Sequence, residues 1–228
     1  MRKFNPWPYQ KRMIQFALQH PRCGLFVPMG MGKTSASLAI IDVLKNIFEE
    51  GPALVIAPLA VARNSWPSEV RKWEDFCHLK VSPILGTTKE RIKALHTKAD
   101  IYVINYDNLM WLDNFLTAKN YTWPFPVVIA DESTRLKSFR TRQGSKRAKA
   151  LAKFSNFFKR FIALTGTPSP NGLNDLWGQL WFIDHGERLG KSFTAFHNRW
   201  FRPLQVGANA AAVQWVPLEY AQAQIQNA

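Results

Sequence analysis

A chain of 228 residues, 46% of them hydrophobic, is long enough to bury one α/β core and short for two. No apolar run approaches the roughly 18 residues of a membrane-crossing helix, the start MRKFNPWPYQ lacks a secretory h-region, and the two cysteines have no metal-ligand spacing, which argues against a membrane protein, a secreted disulfide scaffold and a zinc module. The net charge of +14 asks for an anionic partner, most commonly nucleic acid.

In chain order, residues 9–19 carry Met13, Ile14, Ala17 and Leu18 at helical spacing, and Pro21 and Gly24 interrupt the pattern. Residues 25–27 are a short strand-like run. Residues 33–48 read as a long helix with Leu38, Ile41, Leu44, Ile47 and Phe48 inward, stopped by Gly51 and Pro52. ALVIA at 53–57 is uninterruptedly apolar, as a strand covered on both faces is. A helix is expected at 65–73 with Trp66, Val70 and Trp73 in one stripe, a weak strand at 81–85, a helix at 88–96, a strand at 101–104, a helix at 108–116 and a buried strand at 127–130. A basic helix is expected at 141–154, a strand at 161–164 and a helix at 173–183; past 201, GANAAAVQ reads as a loop and LEYAQAQIQNA as an unfinished helix. Strands alternating with helices predict an α/β fold, a parallel sheet with helices on both faces, which puts a ligand beyond the carboxyl ends of the strands. Cys23 and Cys77 are expected as reduced, small core residues, and Trp177, Trp181 and Trp200 as core fillers.

The stretch LFVPMGMGKTSAS, from Leu25 to Ser37, lies between the first strand and the second helix, the context of a phosphate-binding loop, although Val27 stands where the first glycine of G-x-x-x-x-G-K-[ST] belongs. Gly30 and Gly32, with Met29, Met31 and Ser35 around them, can aim backbone N–H groups at phosphate oxygens. Lys33 can reach the β- and γ-phosphates, Thr34 can ligate Mg²⁺, and the helix N-terminus adds a favourable dipole. VVIADE, ending at Glu132, is an apolar strand that finishes in two acids. In ATPases of this kind the first, Asp131, holds the Mg²⁺ shell and the second, Glu132, orients and deprotonates the attacking water. Carboxylates at the end of a buried strand are costly as structure alone. After them, residues 133–174 contain no acid and ten bases: Arg135, Lys137, Arg140, Arg142, Lys146, Arg147, Lys149, Lys153, Lys159 and Arg160. Charge alone leaves that run open between a solvated face and a polyanion surface.

Taken together these stretches resemble the Snf2-like branch of superfamily 2 helicases and translocases, over roughly residues 8–201. PYQ (Pro8, Tyr9, Gln10) is similar to the family's Q-type segment, whose Gln reads the adenine edge, and Trp7 or Tyr9 is a candidate to stack on the base. MGMGKT resembles motif I; APLAVARNSWPSEVRKW, through Pro58, Arg63, Trp66 and Glu69, resembles motif Ia; INYDNL, with Tyr106, resembles the next; DESTRLKS resembles motif II; LTGTPSPNGLNDLW, through Thr165, Gly166, Thr167, Pro168, Asn171 and Trp177, resembles motif III, the most specific of the set. The resemblance implies a RecA-like P-loop lobe at 1–200 with 201–228 as a linker or tail, ATP and Mg²⁺ as ligands, and ATP-driven movement along double-stranded DNA. It makes Lys33, Asp131 and Glu132 catalytic, and Thr134, Thr165, Gly166 and Thr167 the coupling residues. It places Pro58, Arg63, Tyr106, Arg135, Lys137, Arg142, Lys146 and Lys149 at the nucleic acid.

Two departures qualify it. Motif II reads DEST, so Thr134 stands in place of the His that usually links the ATP site to motif III, and nothing after Pro168 resembles the Q-x-x-G-R-x-x-R segment of the second RecA-like lobe. A monomeric first lobe, cytoplasmic in a bacterial or phage-infected cell or nucleoid-associated, partnered by that second lobe and by duplex DNA, is the expectation. An RNA helicase lobe would read DEAD and SAT where this chain has DEST and TGT, a nucleotide-gated nucleic-acid-binding module would not turn over, and a P-loop kinase would lack motif III.

Overall fold

A computed structural model describes residues 1–205 and 213–227 of the chain. Its centre is a six-stranded parallel sheet, β1 (Arg22–Phe26), β2 (Ala53–Ala57), β3 (Val81–Ile84), β4 (Ile101–Asn105), β5 (Val127–Asp131) and β6 (Arg160–Thr165), in the spatial order β1-β6-β5-β2-β4-β3. Strands β2, β4, β5 and β6 are buried at every position, which is why they read as continuous apolar runs. Alternate side chains serve opposite faces. Val55, Ile129 and Leu164 point to the layer of α1 (Pro8–Gln19), α2 (Lys33–Asn46) and α3 (Trp66–Lys72), where Met13, Leu38 and Trp66 meet them. Leu54, Ile56, Val128 and Phe161 point to the opposite layer. There α4 (Thr88–His96), α5 (Leu109–Ala118), α6 (Lys146–Ala152), α7 (Asn174–Asp184) and α8 (Phe193–Trp200) supply Leu95, Leu112, Leu151, Trp177, Phe182, Phe196 and Trp200.

The α/β class and the parallel sheet are as expected, and several local expectations are corrected. β1 begins at Arg22 rather than residue 25 and runs through Gly24, because parallel pairing with β6 starts at Arg22↔Phe161; the Phe26 ring folds back so that a Cβ at Gly24 would lie 2.7 Å from its Cζ. Ile47 and Phe48, read as inward, are exposed, since α2 ends at Asn46 and the chain reverses at Glu49 with φ 53°. The helix expected at 141–154 is only α6: Gly144 adopts φ 100°, and Ser145 caps the helix by accepting from the Ala148 N–H. A turn of π-helix, Val61–Ser65, precedes α3. Cys77 is exposed, not in the core, because its neighbour Phe76 fills that position; Cys23 is buried, and burial pushes its thiol up to about 12.

Beyond α7 the structure adds a helix and a strand pair that the sequence pattern did not suggest, and a short last helix where an unfinished one was expected. Helix α8 buries an aromatic stripe of Phe196 and Trp200. Strands β7 (Phe201–Gln205) and β8 (Val213–Pro217) pair antiparallel, so the last two residues of the expected loop are strand, while 206–212 lie outside the described residues. Helix α9 (Ala221–Gln226) returns to the core, burying Ala221 and Ile225, and Trp200 Nε1 donates to Gln224 Oε1 at 3.0 Å. Phe196, Trp200 and Phe201 thus share one buried cluster with Ala221 and Ile225. Among the described residues no helix is long and apolar enough to cross a membrane.

Candidate nucleotide and nucleic-acid site

Strands β1, β6 and β5 are spatial neighbours although β5 and β6 come late in sequence. Their carboxyl ends therefore bring together the phosphate-type loop after β1, the acids after β5 and the T-G-T-P turn after β6. Contacts tie the three. The Val27 N–H donates to the Thr165 carbonyl at 3.0 Å, Thr165 Oγ1 lies 3.5 Å from Glu132 Oε2, and a Cβ at Gly166 would meet the Met29 nitrogen at 3.3 Å. The cleft between the loop and the acids has a volume of about 380 Å³ and is lined by Met29, Gly30, Gly32, Lys33, Thr34, Asp131 and Glu132, closed on the α3 side by Val61, Ser65, Glu69 and Lys72.

The loop is built as its glycines suggest. Gly30 and Gly32 have φ of 77° and 65°, and Gly32 starts α2 from the left-handed region, so the first N–H groups of the helix face the cleft without a side-chain cap. The Lys33 ammonium donates to the carbonyls of Val27 and Pro28 at 2.9 and 3.1 Å. Ser35 is buried and its hydroxyl donates to the Gly32 carbonyl at 2.9 Å; Met31 and Thr34 are half-buried and Met29 is exposed. Gln10 is buried beside this loop: its Oε1 accepts from the Trp7 N–H at 2.9 Å and its Nε2 donates to the Gly32 carbonyl at 3.4 Å. Tyr9 is half-buried against the α1–α2 layer and Trp7 stands exposed at the start of α1.

Asp131 is buried, and Trp66 Nε1 donates to its Oδ2 at 3.0 Å. Burial raises its carboxyl above the usual carboxylate range, the Glu132 charge adds to this, and the Trp66 bond and the Lys33 charge oppose it. Glu132 is half-buried at φ 56°, ψ 56°, a left-handed conformation rare outside glycine and concentrated at functional sites. Trp66, read in the sequence as part of a helical stripe and of the W-x-x-E spacing of motif Ia, proves to be a direct partner of Asp131, and Glu69, the other end of that spacing, accepts from Trp73 Nε1 at 2.8 Å. The oxygen donors fit Mg²⁺, which is held by one or two protein oxygens together with substrate phosphates rather than by a protein cage, and among the described residues no group of three acids, histidines or cysteines gathers.

The residues expected at nucleic acid are distributed unevenly. Pro58 is half-buried at the end of β2 and Arg63 is exposed one turn later. Arg135, Arg142 and Lys146 are exposed, and the half-buried Lys149 donates its ammonium to the Arg142 carbonyl. Tyr106 does not belong with them. It is buried and its hydroxyl donates to the Asp131 carbonyl at 2.9 Å, so it braces the acidic strand end from beneath. Lys137 is paired with Asp175 at 3.1 Å. Other members of the basic run are internal or paired: Arg160 is buried against Glu50, Arg140 sits 3.3 Å from the Phe193 ring centre, and Arg147 and Lys153 meet Asp107 and Asp113. A groove of about 880 Å³ runs past residues 140–143 and 191–194, adding Lys191 to Arg142. Thr134, expected to couple the sites, is half-buried and makes no side-chain hydrogen bond among the described residues, whereas its neighbour Ser133 is buried and bonded to Gln179.

Comparison with known proteins agrees with this geometry. The SNF2-related domain matches residues 9–221. Protein p41 of Acyrthosiphon pisum secondary endosymbiont phage 1 is 48% identical over 99% of this chain and 49% of its own length. ATP-dependent helicase FUN30 of Saccharomyces cerevisiae is 32% identical over 71% of this chain and 14% of its own. The SWI2/SNF2 ATPase core of Sulfolobus solfataricus, solved in complex with dsDNA, superposes with a TM-score of 0.66 at 29% identity over 87% of this chain and 39% of that one. The UvsW helicase of bacteriophage T4, at 17% identity and a TM-score of 0.60, shares the fold. The chain thus spans about half the length of its phage relative and less of the others. With a match over residues 9–221 and the loop, acids and T-G-T-P turn assembled at one sheet end, the chain belongs to the SNF2-related family and is a Snf2-family ATPase domain.

Proposed function

We propose that this domain binds Mg²⁺-ATP in the cleft between the loop after β1 and the acids after β5, and that in a longer protein it couples hydrolysis to movement on double-stranded DNA. The observation that carries the reading is the convergence of Gly30–Gly32–Lys33–Thr34, Asp131–Glu132 and Thr165–Gly166–Thr167 at three adjacent strand ends. Lys33 and the N–H groups at the start of α2 hold the phosphates, and Thr34 and Asp131 hold the metal, whose charge when bound neutralises phosphate oxygens. Glu132 accepts the proton of the attacking water as its oxygen joins the γ-phosphorus and ADP leaves with the anhydride oxygen. Trp66 and Tyr106 keep the two acids in place. Arg63, Arg135, Arg142, Lys146 and Lys191 grip the DNA backbone without reading sequence, as a moving contact requires.

Lys33→Ala tests the cleft. A fluorescent ATP analogue with Mg²⁺ should bind the parent and lose at least about tenfold in affinity, roughly 1.4 kcal/mol, in the variant, with the far-UV spectrum unchanged. A folded variant that binds like the parent places the nucleotide elsewhere.

A further inference from the structure

Between the acids and the T-G-T-P turn lies a buried polar chain that the site as described does not use. Ser133, the residue after Glu132, is fully buried, and its hydroxyl donates to Gln179 Oε1 at 2.8 Å. Gln179 on α7 is also fully buried, and its Nε2 donates to the Pro168 carbonyl at 2.6 Å and the Asp175 carbonyl at 2.8 Å. Two carbonyls can be met only by the NH₂ end, so the carboxamide has one orientation and presents its oxygen to Ser133. A glutamine facing the core at this depth is expensive unless every polar atom is matched, and here every one is.

The backbone is shaped around this chain. At Gly178 a Cβ would lie 2.6 Å from the Leu136 carbonyl oxygen and 2.7 Å from that of Lys137, so only glycine lets α7 sit against the turn that follows the acids. A second strap runs in parallel: Lys137 pairs with Asp175 at 3.1 Å, and the same Asp175 oxygen accepts the Asn171 N–H at 2.9 Å. Both straps lead from residues 133–137, through α7, to residues 168–171. The sheet supplies one direct link of 3.5 Å, Thr165 to Glu132.

Resting on the nucleotide reading above, we infer that Gln179 is a positioning residue that transmits nucleotide occupancy at Asp131 and Glu132 to the 166–171 loop through the Ser133–Gln179–Pro168 hydrogen bonds. The chain rigidly joins two segments that belong to different strand ends, so a shift of the turn after Glu132 moves the loop after β6 instead of being absorbed in soft apolar packing.

Hydrogen exchange of the 166–172 backbone, with and without a non-hydrolysable ATP analogue and Mg²⁺, tests this on the whole 228-residue chain. Two variants are compared with the parent. Gln179→Leu breaks the chain, and Ser133→Ala with Gln179→Leu removes both partners of the Ser133 bond, which avoids stranding a buried hydroxyl if the single variant folds poorly. In the parent the analogue should slow exchange of this loop on the order of fivefold or more, the lower end of ordinary coupling between sites. In the variants the analogue should bind with affinity unchanged while the slowing falls to near unity. A merely structural glutamine would change exchange equally with and without nucleotide, leaving the ratio as in the parent, and that result overturns the inference. So does a parent that binds the analogue with no response in the loop. A parent that does not bind it at all overturns the nucleotide reading, and the inference with it.

Discussion

Asp131 holds its charge where water hardly reaches, with one indole N–H as its side-chain donor. Its folded-state pKa lies above the ordinary 3.8, chiefly through burial and further through Glu132. The ionised carboxylate therefore costs stability. That cost is absent below the unfolded-state pKa, grows as pH rises toward the folded-state value and is complete above it. Asp131→Asn keeps an oxygen for Trp66 and removes the charge. It should raise the Tm near pH 7, and the gain should vanish below about pH 4, where unfolded carboxylates are protonated. Calorimetry at the two pH values checks it; a variant that is less stable at neutral pH would mean that the Lys33 and Trp66 interactions outweigh burial. On the proposed reading a divalent cation would relieve the same buried charge, and stability at this residue would be exchanged for binding.

At the scale of elements, α7 and α6 show opposite demands. Helix α7 must lie in backbone contact with the turn after the acids, and Gly178→Ala forces its new methyl against two carbonyl oxygens that belong to a packed turn. Overpacking of this kind costs about 1–3 kcal/mol, which in a domain of this size lowers Tm by about 2–4 °C per kcal/mol; thermal denaturation of the variant measures it, and an unchanged Tm would show that the turn can retreat freely. Helix α6 presents its charge outward. Its Lys146 and Lys149, with Arg142 before it, belong, together with Arg135 and Lys159, to the part of the basic run left after Arg160, Arg140, Arg147, Lys153 and Lys137 are assigned to internal or acidic partners. Reversing Arg142, Lys146 and Lys149 to Glu should weaken binding to duplex DNA of any sequence. The log–log salt slope should become shallower by about 0.9 for each phosphate that the variant no longer neutralises. Equal affinity of variant and parent in a salt titration would return α6 to an ordinary solvated face.

At the scale of the whole molecule, the domain brings Lys33, Thr34, Asp131 and Glu132, the proposed phosphate, metal and water ligands, to one sheet end, and its sequence carries no segment resembling the arginine-bearing one of a second lobe. An arginine placed at the transition-state charge contributes on the order of 10³ to 10⁵ in rate in other NTPases. The 228-residue chain should therefore bind ATP yet hydrolyse it barely above background, even with duplex DNA. A longer protein that includes such a lobe should show DNA-stimulated turnover, and Glu132→Gln should abolish it. Steady-state phosphate release, with and without DNA, checks each arm. Brisk DNA-stimulated turnover by this chain alone would place the missing charge within it or on a second copy.

The sheet and the candidate ligand loops are legible in the sequence because both are local. A strand buried on two faces has to be apolar throughout, as ALVIA and VVIA are, and a phosphate loop needs its glycines, Lys33 and Thr34 close together in the chain. Contacts between segments far apart in the chain are not legible in this way. Ile47 and Phe48 fit the helical period, yet the chain turns before they can be buried. Tyr106 reads as a surface contact, but the order of strands places it under Asp131. The run of ten bases looks uniform until tertiary partners at Glu50, Asp107, Asp113 and Asp175 take up part of it. Thr134 draws attention by its place beside the acids, while the residue that joins Ser133 to Pro168 is Gln179, 46 positions further on. Periodicity and motif spacing report on neighbours along the chain; which buried polar group finds which partner is decided only when the strands take their order in the sheet.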